Sequence, residues 1–583
     1  MNLAVRRMQW SLVTALVMLT ALSEADRARA RTPSPSQKLP QVVSVIQTFN
    51  NHPFDYSIES RTEKAGYVVY RLTYPSPVVT PVPQNNIVPA EYYVPAGLRP
   101  GEPKRPAVIC MHILDGNMEL VRMQCTVLAT HGIPAILFKL PYYGERGFPQ
   151  GPGAMAANPK LFVDALVQGM EDVRRTIDLL ASRPEIDPRR IGITGISLGG
   201  IVAVAAAGNE PRLSRVMPIL AGGDLIAIIR HARETEDLNR LLQRLPAQQR
   251  SKIEAAIQAV DPLRHAEALR DRAQSGKVLM VNAAEDEVIP RACTEKLASA
   301  LGLSDRVEWL DGLGHYTAMA ALPRVMQRMV DFFGQDLPPG VKVPAPTANG
   351  KTPTQVVLRL LQEAVGFFTA EPAAGRCHFA DLAVEFAPAG QKPYQGRILL
   401  IRGTQGRFKL ECRLPGVGEV AIGQAEQPWM LSTQKTLFRG IANGKTRLRD
   451  PLAFAQADHL LKLRMVAGAV AGAALAPDVL DPLAAIADEP AANGQRAIRV
   501  VLKGQDRGTF RLLLSPDGKT PQLLSFAVPG AAGTVRFLGW QINTVAHEAM
   551  FEPPAGLPSK DVETEELQRM FSAMFDFAME KME

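Results

Sequence analysis

The first half of the chain contains the run Arg190-Ile191-Gly192-Ile193-Thr194-Gly195-Ile196-Ser197-Leu198-Gly199, which leads into the apolar segment 201–206. The run predicts a buried strand that ends at Thr194, and the segment predicts a helix of small apolar residues. Between a strand and a helix, Gly-x-Ser-x-Gly places the serine on a tight turn, where glycines leave room for the backbone. The helix N-terminus directs free N–H groups toward that serine. We therefore predict that Ser197 is a nucleophile, with an ordinary strand-to-helix turn as the alternative.

Short apolar runs alternate with helical patterns from about residue 40 to residue 336. Residues 67–70 and 90–93 predict leading antiparallel strands. Further strands, apolar enough to be buried on both faces, are predicted at 107–111, 133–140, 190–194, 216–220, 278–281 and 307–310. This alternation predicts an α/β fold, with a mostly parallel sheet, right-handed crossovers and helices on both faces.

A serine nucleophile needs a base, and the base needs a group that orients it. The loop after strand 278–281 carries Glu285, Asp286 and Glu287. Asp286 is the best candidate for the orienting acid, because Val288 and Pro290 turn the loop into the next helix. Glu285 and Glu287 are expected to be solvated, although either is an alternative. His315 follows the strand 307–310 and a Gly-rich turn, which makes it the candidate base, with a satisfied core histidine as the alternative.

Residues from about 60 to 335 resemble the α/β-hydrolase superfamily. The resemblance rests on the order Ser197, Asp286, His315 and on the stretch Asp187-Pro188-Arg189-Arg190-Ile191-Gly192 before the turn. That stretch is similar to the dienelactone hydrolase, acetyl xylan esterase and prolyl oligopeptidase branches. The resemblance implies Ser197 as nucleophile, His315 as base and Asp286 as its orienter. Dienelactone hydrolases use a cysteine nucleophile, from which Ser197 departs. The sequence before residue 100 is too short for the propeller domain of a prolyl oligopeptidase, which favours an esterase.

The same resemblance implies an oxyanion hole formed by the backbone N–H of Leu198 and one N–H from the loop 112–116. His112 fits the family's His-Gly loop, but Ile113 stands where glycine is usual, so the second donor is Leu114 or Ile113. Tyr142 and Tyr143 follow the carboxyl end of a strand, where ligands bind in such sheets, and are candidate substrate contacts. Residues 222–265 are helical and charged, and form either a cap over the site or a solvated insertion.

Composition excludes several classes of protein. Of the 583 residues, 46% are hydrophobic and 21% are charged, which is typical of globular proteins and excludes disorder as the whole answer. The net charge of +7 comes from scattered basic residues, so we predict no nucleic-acid partner. The sequence has no CxxC or HExxH motif, so neither a metal nor another cofactor is predicted. Five cysteines are too few for a disulfide scaffold.

Residues 1–30 predict a cleaved secretory signal peptide, and hence a secreted or periplasmic protein. Arg6 and Arg7 precede a short apolar run, and Ala28-Arg29-Ala30 is a small-x-small cleavage site. An uncleaved anchor is the alternative. In an oxidising compartment Cys377 and Cys412, both on candidate strands, are hypothesised to form a disulfide. The predicted domain organisation is a signal peptide (1–30), a catalytic domain (31–336), a Pro-rich linker (337–352), a β-rich accessory domain (353–558) and a C-terminal amphipathic helix (559–583).

Alternating strand patterns after residue 353 predict an antiparallel β-rich domain with one covered face. Ala-rich helices are expected near 451–476 and 480–487. The late Gly539-Trp540 pair and Phe551-Glu552-Pro553-Pro554 loosely resemble the LolA-like lipoprotein carriers of the bacterial periplasm. That resemblance implies a half-barrel whose concavity binds a lipid or an acyl chain, and a plain accessory domain is the alternative.

Two functions follow from these features. The first is a secreted serine hydrolase that cleaves carboxylic esters of small molecules or acyl groups through a Ser-His-Asp triad. The alternative is a periplasmic lipid- or lipoprotein-binding protein whose hydrolase domain is secondary or inactive.

Overall fold

The structure, a computed structural model, describes residues 40–64, 66–98, 101–116, 118–147, 158–339, 341, 352–369, 372–388, 393–414, 418–441, 480, 484–503, 508–567, 569–570 and 573. The predicted signal peptide, most of the predicted linker and the predicted helix near 451–476 lie outside these residues. The described residues form two compact units, one from residue 40 to residue 341 and one from residue 352 to residue 573.

The first unit is built on a mixed sheet. Its described strands are β1 (Gln41–Val45), β2 (Phe54–Lys64), β3 (Tyr67–Pro75), β4 (Ile87–Pro95), β5 (Arg105–Met111), β6 (Ala135–Phe138), β7 (Ile186–Ile196), β8 (Leu213–Ile219), β9 (Val281–Ala283) and β10 (Glu308–Leu310). They lie in the order β1-β2-β3-β4-β6-β5-β7-β8-β9-β10. Adjacent strands in the part β1-β2-β3-β4-β6 are antiparallel. Adjacent strands in the part β6-β5-β7-β8-β9-β10 are parallel. The predicted mostly parallel α/β sheet is confirmed.

Helices connect the parallel strands. Those described in the first unit are α1 (Met118–Thr130), α2 (Pro159–Ser182), α3 (Leu198–Asn209), α4 (Leu225–His231), α5 (Glu236–Arg244), α6 (Ala247–Ala259), α7 (Pro262–His265), α8 (Arg270–Gln274), α9 (Arg291–Leu301) and α10 (Leu322–Gly334). In the described part of the chain, no helix is both long and apolar enough to cross a bilayer.

Helices cover both faces of the sheet, as the alternation in β7 makes clear. Ile191 and Ile193 belong to the core cluster that contains Ile177 of α2. Gly192, between them, lies against the ring of Phe333 of α10. Because successive strand residues point to opposite faces, α2 and α10 cover opposite sides of the sheet. The layers on the two faces together bury β5 and β6 along their whole length.

A buried polar network joins α2 to the turn after β6. The guanidinium of Arg146 is 2.8 Å from the Asp172 carboxylate, and both side chains have no exposed surface. Arg146 also donates to the carbonyl oxygens of Lys139 and Asn85, and Ser76 donates to Asp172 at 2.6 Å. The pair satisfies the requirement that buried charges be matched and hydrogen-bonded. It fixes the chain from Lys139 to Arg146 against the helix.

Replacing one member of this pair should strongly destabilise the first unit. We expect Arg146→Met to lower the free energy of unfolding by about 3–5 kcal/mol, because an uncompensated buried carboxylate remains. Lys160→Met, which removes an exposed ion pair with Asp164, is the control and should leave the free energy of unfolding almost unchanged, because solvent screens the pair. Urea denaturation followed by circular dichroism measures both, and equal losses would contradict the role given to the buried pair.

The second unit is a single sheet in its described residues, crossed by one long helix, α11 (Pro353–Thr369). The strands are β11 (Arg376–Pro388), β12 (Tyr394–Gly403), β13 (Phe408–Leu414), β14 (Gly418–Gln424), β15 (Pro428–Leu431), β16 (Leu437–Ile441), β17 (Ala484–Glu489), β18 (Arg496–Leu502), β19 (Thr509–Leu514), β20 (Pro521–Val528), β21 (Ala531–Val545) and β22 (Ser559–Glu563). Their order is β17-β18-β19-β20-β21-β11-β12-β13-β14-β15-β16-β22. All described neighbours are antiparallel except β16 and β22, so the predicted antiparallel β-rich fold is confirmed.

Helix α11 packs along one face of this sheet. Near its start, Val356 contacts Ile498 and Leu514. Near its end, Phe367 packs with Ala380 and stacks on Trp540, with ring centroids 5.3 Å apart. The predicted covered face is therefore present, with the helix as its cover at these positions. The predicted lipid ligand stays a prediction.

Two helix predictions need correction in the described residues: the helix predicted at 480–487 is wrong from residue 484 onward, and the helix predicted at 559–583 is wrong at its first five residues. Residues 484–489 form β17, and residues 559–563 form β22, which pairs in parallel with β16. In β22 the charged Lys560, Asp561 and Glu563 are not buried, while Val562 packs on the Phe408 cluster. The strand period therefore prevails at 559–563, because the edge of β16 offers backbone groups to pair. Helix follows at 564–567 and 569–570.

The hypothesised Cys377–Cys412 disulfide is also wrong. Cys377 lies on β11 opposite Gly403, and Cys412 lies on β13 opposite Ile398. Strand β12 separates the two, and they face positions five residues apart along it. All five cysteines are free thiols.

We therefore expect the denatured, unreduced protein to titrate five thiols with Ellman's reagent. The reduced and denatured protein is the control and should give the same number. A value of three would contradict the structure and restore the disulfide.

Candidate active site

The predicted nucleophile lies on a strained turn between β7 and α3. Ser197 has φ 56° and ψ −120°, outside the regions that non-glycine residues usually adopt. Its N–H donates to the carbonyl oxygen of Ile219, and its own carbonyl accepts from the N–H of Ile201. Such a conformation persists only where the surroundings impose it, and it is the backbone of the nucleophile turn predicted from Gly195 to Gly199.

Close backbone packing explains both glycines. A Cβ atom on Gly195 would lie 2.3 Å from the carbonyl carbon of Gly199. A Cβ atom on Gly199 would lie 2.4 Å from the carbonyl oxygen of Met111, the last residue of β5. No side chain fits at these distances, so the start of α3 rests directly on the end of β5. This contact brings Ser197 beside the loop that follows β5.

The structure brings Ser197, His315 and Asp286 together in one hydrogen-bonded line. The Nε2 atom of His315 is 3.1 Å from Oγ of Ser197. Its Nδ1 atom is 2.9 Å and 3.1 Å from the two carboxylate oxygens of Asp286. With Nδ1–H donating to the carboxylate, Nε2 carries the lone pair that faces the serine hydroxyl. These distances lie within the range needed for proton transfer.

Asp286 is held by the backbone as well as by the histidine. Its Oδ1 atom accepts from the N–H groups of Val288 and Ile289 at 2.9 and 2.7 Å. Only 1% of its side chain is exposed. These donors orient the carboxylate and compensate for the loss of solvent.

Both neighbouring acids are exposed, as predicted, but Glu287 also binds the protein backbone. Glu285 is exposed, and its N–H donates to the carbonyl of Leu313. The carboxylate of Glu287 accepts from the N–H of His315 at 2.7 Å and from the N–H of Tyr316 at 3.4 Å. Glu287 therefore binds the backbone that carries the histidine, whereas Asp286 binds its ring.

The charged insertion reaches the residue beside the histidine. The Tyr316 ring lies edge-on to His315, with centroids 5.7 Å apart, and is half exposed. Its hydroxyl donates to the carboxylate of Glu234 in the segment between α4 and α5. The contact favours the interpretation of 222–265 as a cap over the one as a solvated insertion. Tyr316 and Glu234 are site-neighbouring residues that the sequence analysis did not single out as a pair.

The loop that was predicted to hold the oxyanion is anchored by a buried histidine. Nδ1 of His112 is 2.8 Å from the carbonyl oxygen of Ile113, and Nε2 accepts from the N–H of Leu140 at 3.0 Å. Burial lowers the pKa of His112 to about 4. The ring is therefore neutral near pH 7, with the proton on Nδ1. Leu198, the other predicted contributor, is the first residue of α3.

The two predicted substrate-contacting tyrosines are engaged in the protein itself. Tyr143 is buried, and its hydroxyl donates to the carbonyl of Leu114 at 2.7 Å. Tyr142 has φ 69°, and its N–H donates to Oδ1 of Asn85 at 3.0 Å. Tyr143 thus contacts the loop 112–116, and a direct substrate contact for either tyrosine stays a prediction.

The His112 anchor makes the first unit sensitive to acid. Because the folded pKa of about 4 lies below the ordinary value of 6.5, the unfolded chain binds the extra proton first. The free energy of unfolding should therefore fall by about 3 kcal/mol as pH drops from 6.5 to 4. We expect His112→Gln to lose this part of the pH dependence and His131→Gln to keep it. Denaturation of all three proteins across this pH range tests the assignment, which identical pH profiles would contradict.

Two sequence profiles match the first unit. Residues 40–227 match the one described as Alpha/beta hydrolase domain containing 18, and residues 165–338 match the Prolyl oligopeptidase family. The second segment contains Ser197, Asp286 and His315. Residues 40–338 form an α/β-hydrolase domain. The predicted resemblance to this superfamily is confirmed, and both matches support a hydrolase. The likeness of the second unit to lipoprotein carriers stays a prediction.

The hydrolase domain is also similar to individual proteins. The thiohydrolase aneE of Aspergillus aculeatus is 29% identical over 120 residues, which are 20% of this chain and 35% of that protein. The chain thus matches about a third of the length of this curated relative. An acetyl xylan esterase from Paenibacillus sp. R4 is 18% identical, with 57% of this chain and 94% of that chain covered and a TM-score of 0.36. A cold-adapted esterase from an Arctic intertidal metagenomic library is 15% identical, with 48% and 98% covered and a TM-score of 0.32.

Within the hydrolase domain, the stretch Asp187–Arg190 has a structural role. The Asp187 carboxylate accepts hydrogen bonds from Arg189 and Arg190. The bond from Arg189 is the main reason that the pKa of Asp187 is lowered to about 2. Arg190 also donates to the carbonyl oxygens of Asp336 and Lys104. The stretch therefore ties the start of β7 to the chain that follows α10.

Proposed function

We propose that this protein is a secreted serine hydrolase that cleaves carboxylic esters through an acyl-enzyme intermediate. The observation that carries the proposal is the hydrogen-bonded line from Asp286 through His315 to Ser197, on a strained turn at the carboxyl end of a central strand. The secreted location rests on the signal peptide predicted at residues 1–30.

Acylation begins with the serine hydroxyl. His315 Nε2 takes the proton as Ser197 Oγ attacks the ester carbonyl carbon, because the two atoms are 3.1 Å apart with the lone pair of Nε2 facing the hydroxyl. The imidazolium that forms is stabilised by the buried carboxylate of Asp286. The bond from Nδ1–H to Asp286 keeps the ring in the tautomer that the step requires.

The tetrahedral oxyanion is held by backbone donors. The N–H of Leu198 opens α3, where helix N–H groups lack intrahelical partners. The second donor is the N–H of Leu114, in the loop that the buried His112 anchors. Each such donor contributes roughly 3–4 kcal/mol to the transition state.

The intermediate collapses when His315 returns its proton to the leaving alcohol. Water then attacks the acyl-enzyme with the same histidine as base, and the carboxylic acid is released. In this cycle, the bond from Ser197 Oγ to the acyl carbon forms once and breaks once, and the net reaction is ester plus water giving acid plus alcohol.

The proposed mechanism does not by itself decide whether the leaving group of the substrate is an alcohol or a thiol. The same steps cleave a thioester, and the name of the similar Aspergillus aculeatus protein includes thiohydrolase. We favour oxygen esters, because the triad supplies the proton that an alkoxide leaving group needs. A matched pair of acetyl esters, one with an oxygen and one with a sulfur leaving group, separates the two classes.

Labelling with a fluorophosphonate tests the proposal directly. Wild-type protein should be labelled on Ser197, and Ser197→Ala should not be labelled. Ser197→Ala and His315→Ala should each lower kcat on p-nitrophenyl acetate by roughly 10⁴-fold or more, because the triad acts as a unit. Asp286→Asn should approach this loss, since the tautomer is no longer fixed.

Glu285→Gln is the matched control, because Glu285 lies beside Asp286 on the same loop but is exposed. It should keep near-wild-type turnover. Labelling that survives Ser197→Ala, or a greater loss in Glu285→Gln than in Asp286→Asn, would overturn the assignment. A wild-type protein that is not labelled would favour the lipid- or lipoprotein-binding alternative.

A further inference from the structure

We infer that Tyr143 is a positioning residue for the second oxyanion donor, which it holds by fixing the loop 112–116 on three sides. The inference rests on the proposed function, because it has a catalytic consequence only where this loop binds an oxyanion. It replaces the substrate-contacting role predicted for Tyr143 from the sequence.

Tyr143 contacts the loop at three of its five residues. Its hydroxyl donates to the carbonyl oxygen of Leu114 at 2.7 Å. Its ring meets the ring of His112 edge-on, with centroids 4.7 Å apart. The same ring occupies the space beside Gly116, where a Cβ atom would lie 2.7 Å from Cδ1 of the tyrosine. Gly116 has φ +76°, so glycine is favoured there by conformation as well as by space.

These contacts bear on the direction of one peptide N–H. The N–H of Leu114 shares a planar peptide unit with the carbonyl of Ile113. That carbonyl accepts from His112 Nδ1 at 2.8 Å and from the N–H of Gly116 at 3.2 Å. Because the carbonyl and the N–H of a trans peptide point in opposite directions, these two bonds turn the Leu114 N–H away from His112 and Gly116. Tyr143 packs on both of the groups that hold the peptide, and it binds the next carbonyl itself.

The loop adjoins the nucleophile at its other end. Gly199 lies two residues after Ser197, and a Cβ atom on it would lie 2.9 Å from the carbonyl oxygen of His112. A shift of the loop therefore changes the distance between its N–H groups and the atoms attached to Ser197. Oxyanion donors act only at about 2.7–3.1 Å from the oxygen they stabilise, so small shifts matter.

Tyr143 is itself rigidly held and keeps its proton. Its N–H donates to the carbonyl of Leu140, and its carbonyl accepts from the N–H of Arg146, whose side chain is fixed by the buried pair with Asp172. Burial raises the pKa of the Tyr143 phenol well above its usual value, so the group stays a donor over the working pH range. Tyr143 thus connects the loop 112–116 to the buried Arg146–Asp172 pair.

Tyr143→Phe removes the hydroxyl and leaves the ring, which makes it the informative variant. We expect kcat on p-nitrophenyl acetate to fall roughly tenfold with KM changed by less than about twofold, because an oxyanion interaction exists only in the transition state. The affinity for a trifluoromethyl ketone, which forms an oxyanion on Ser197, should fall by the same factor as kcat/KM. Binding of the corresponding methyl ketone should not change.

Tyr74→Phe is the matched control. Tyr74 is 1% exposed, lies in the same domain, and its hydroxyl shares a 2.7 Å hydrogen bond with Thr176. Tyr74→Phe loses the same kind of buried hydrogen bond as Tyr143→Phe. The two variants should therefore lose a similar free energy of unfolding, but Tyr74→Phe should keep the wild-type kcat and the wild-type affinity for the trifluoromethyl ketone. Gly116→Ala, which pushes on the Tyr143 ring, is a second variant and should give the same split between kcat and KM.

The outcomes separate the two proposals. An active wild type in which Tyr143→Phe and Gly116→Ala behave like Tyr74→Phe would overturn the inference and leave the proposed function standing. A fall in methyl ketone binding equal to that of the trifluoromethyl ketone would also overturn it, since Tyr143 would then contact ground-state substrate. A wild type that neither turns over esters nor binds the trifluoromethyl ketone would overturn the proposed function and the inference together.

Discussion

The contact of the α3 N-terminus with the end of β5 determines the geometry of the whole site. Gly195 and Gly199 allow backbone to touch backbone there, at distances that no Cβ atom fits. The strain at Ser197 is the cost of this contact, and the buried sheet on either side maintains it. Because α3 cannot move without displacing β5, Ser197 and the loop 112–116 keep one relative position. His315 and Asp286 then have only to approach a serine whose position is already fixed.

Two adjacent positions on one loop divide the work of holding His315. Asp286 is buried and binds the imidazole ring, whereas Glu287 is exposed and binds the backbone N–H groups of His315 and Tyr316. A turn at 286–289 accounts for the division, because the Asp286 carboxylate folds inward to accept from the N–H groups of Val288 and Ile289 while the Glu287 side chain stays exposed. The ring and the main chain of the histidine are thus held by separate carboxylates. Only the buried one is shielded from salt and solvent.

Ser197, Asp286 and His315 were predictable because each follows a strand and because their order along the chain is informative. The fold around them was predictable for the same local reason, the apolar runs of the sheet. The backbone contacts of Glu287 and Tyr143 were not predictable, because the groups they bind are distant in sequence and no periodicity indicates them. The strand at 559–563 and the Cys377–Cys412 pair depended on which strands become neighbours in the second sheet. Sheet order is a non-local property, and alternation within one segment carries no information about it.

The two sides of the candidate site differ in how firmly they are built. On the side of the loop 112–116, the side chains of His112, Tyr143 and Arg146 are buried, so water competes less for their hydrogen bonds. On the histidine side, Tyr316 and Glu234 meet at the surface, where solvent competes for the same groups. Transition-state charge needs fixed donors, since reorganising them costs free energy during the reaction. Substrate entry, in contrast, needs side chains that can move aside. The burial of one side and the exposure of the other therefore match the different demands that the proposed hydrolytic cycle would make on them.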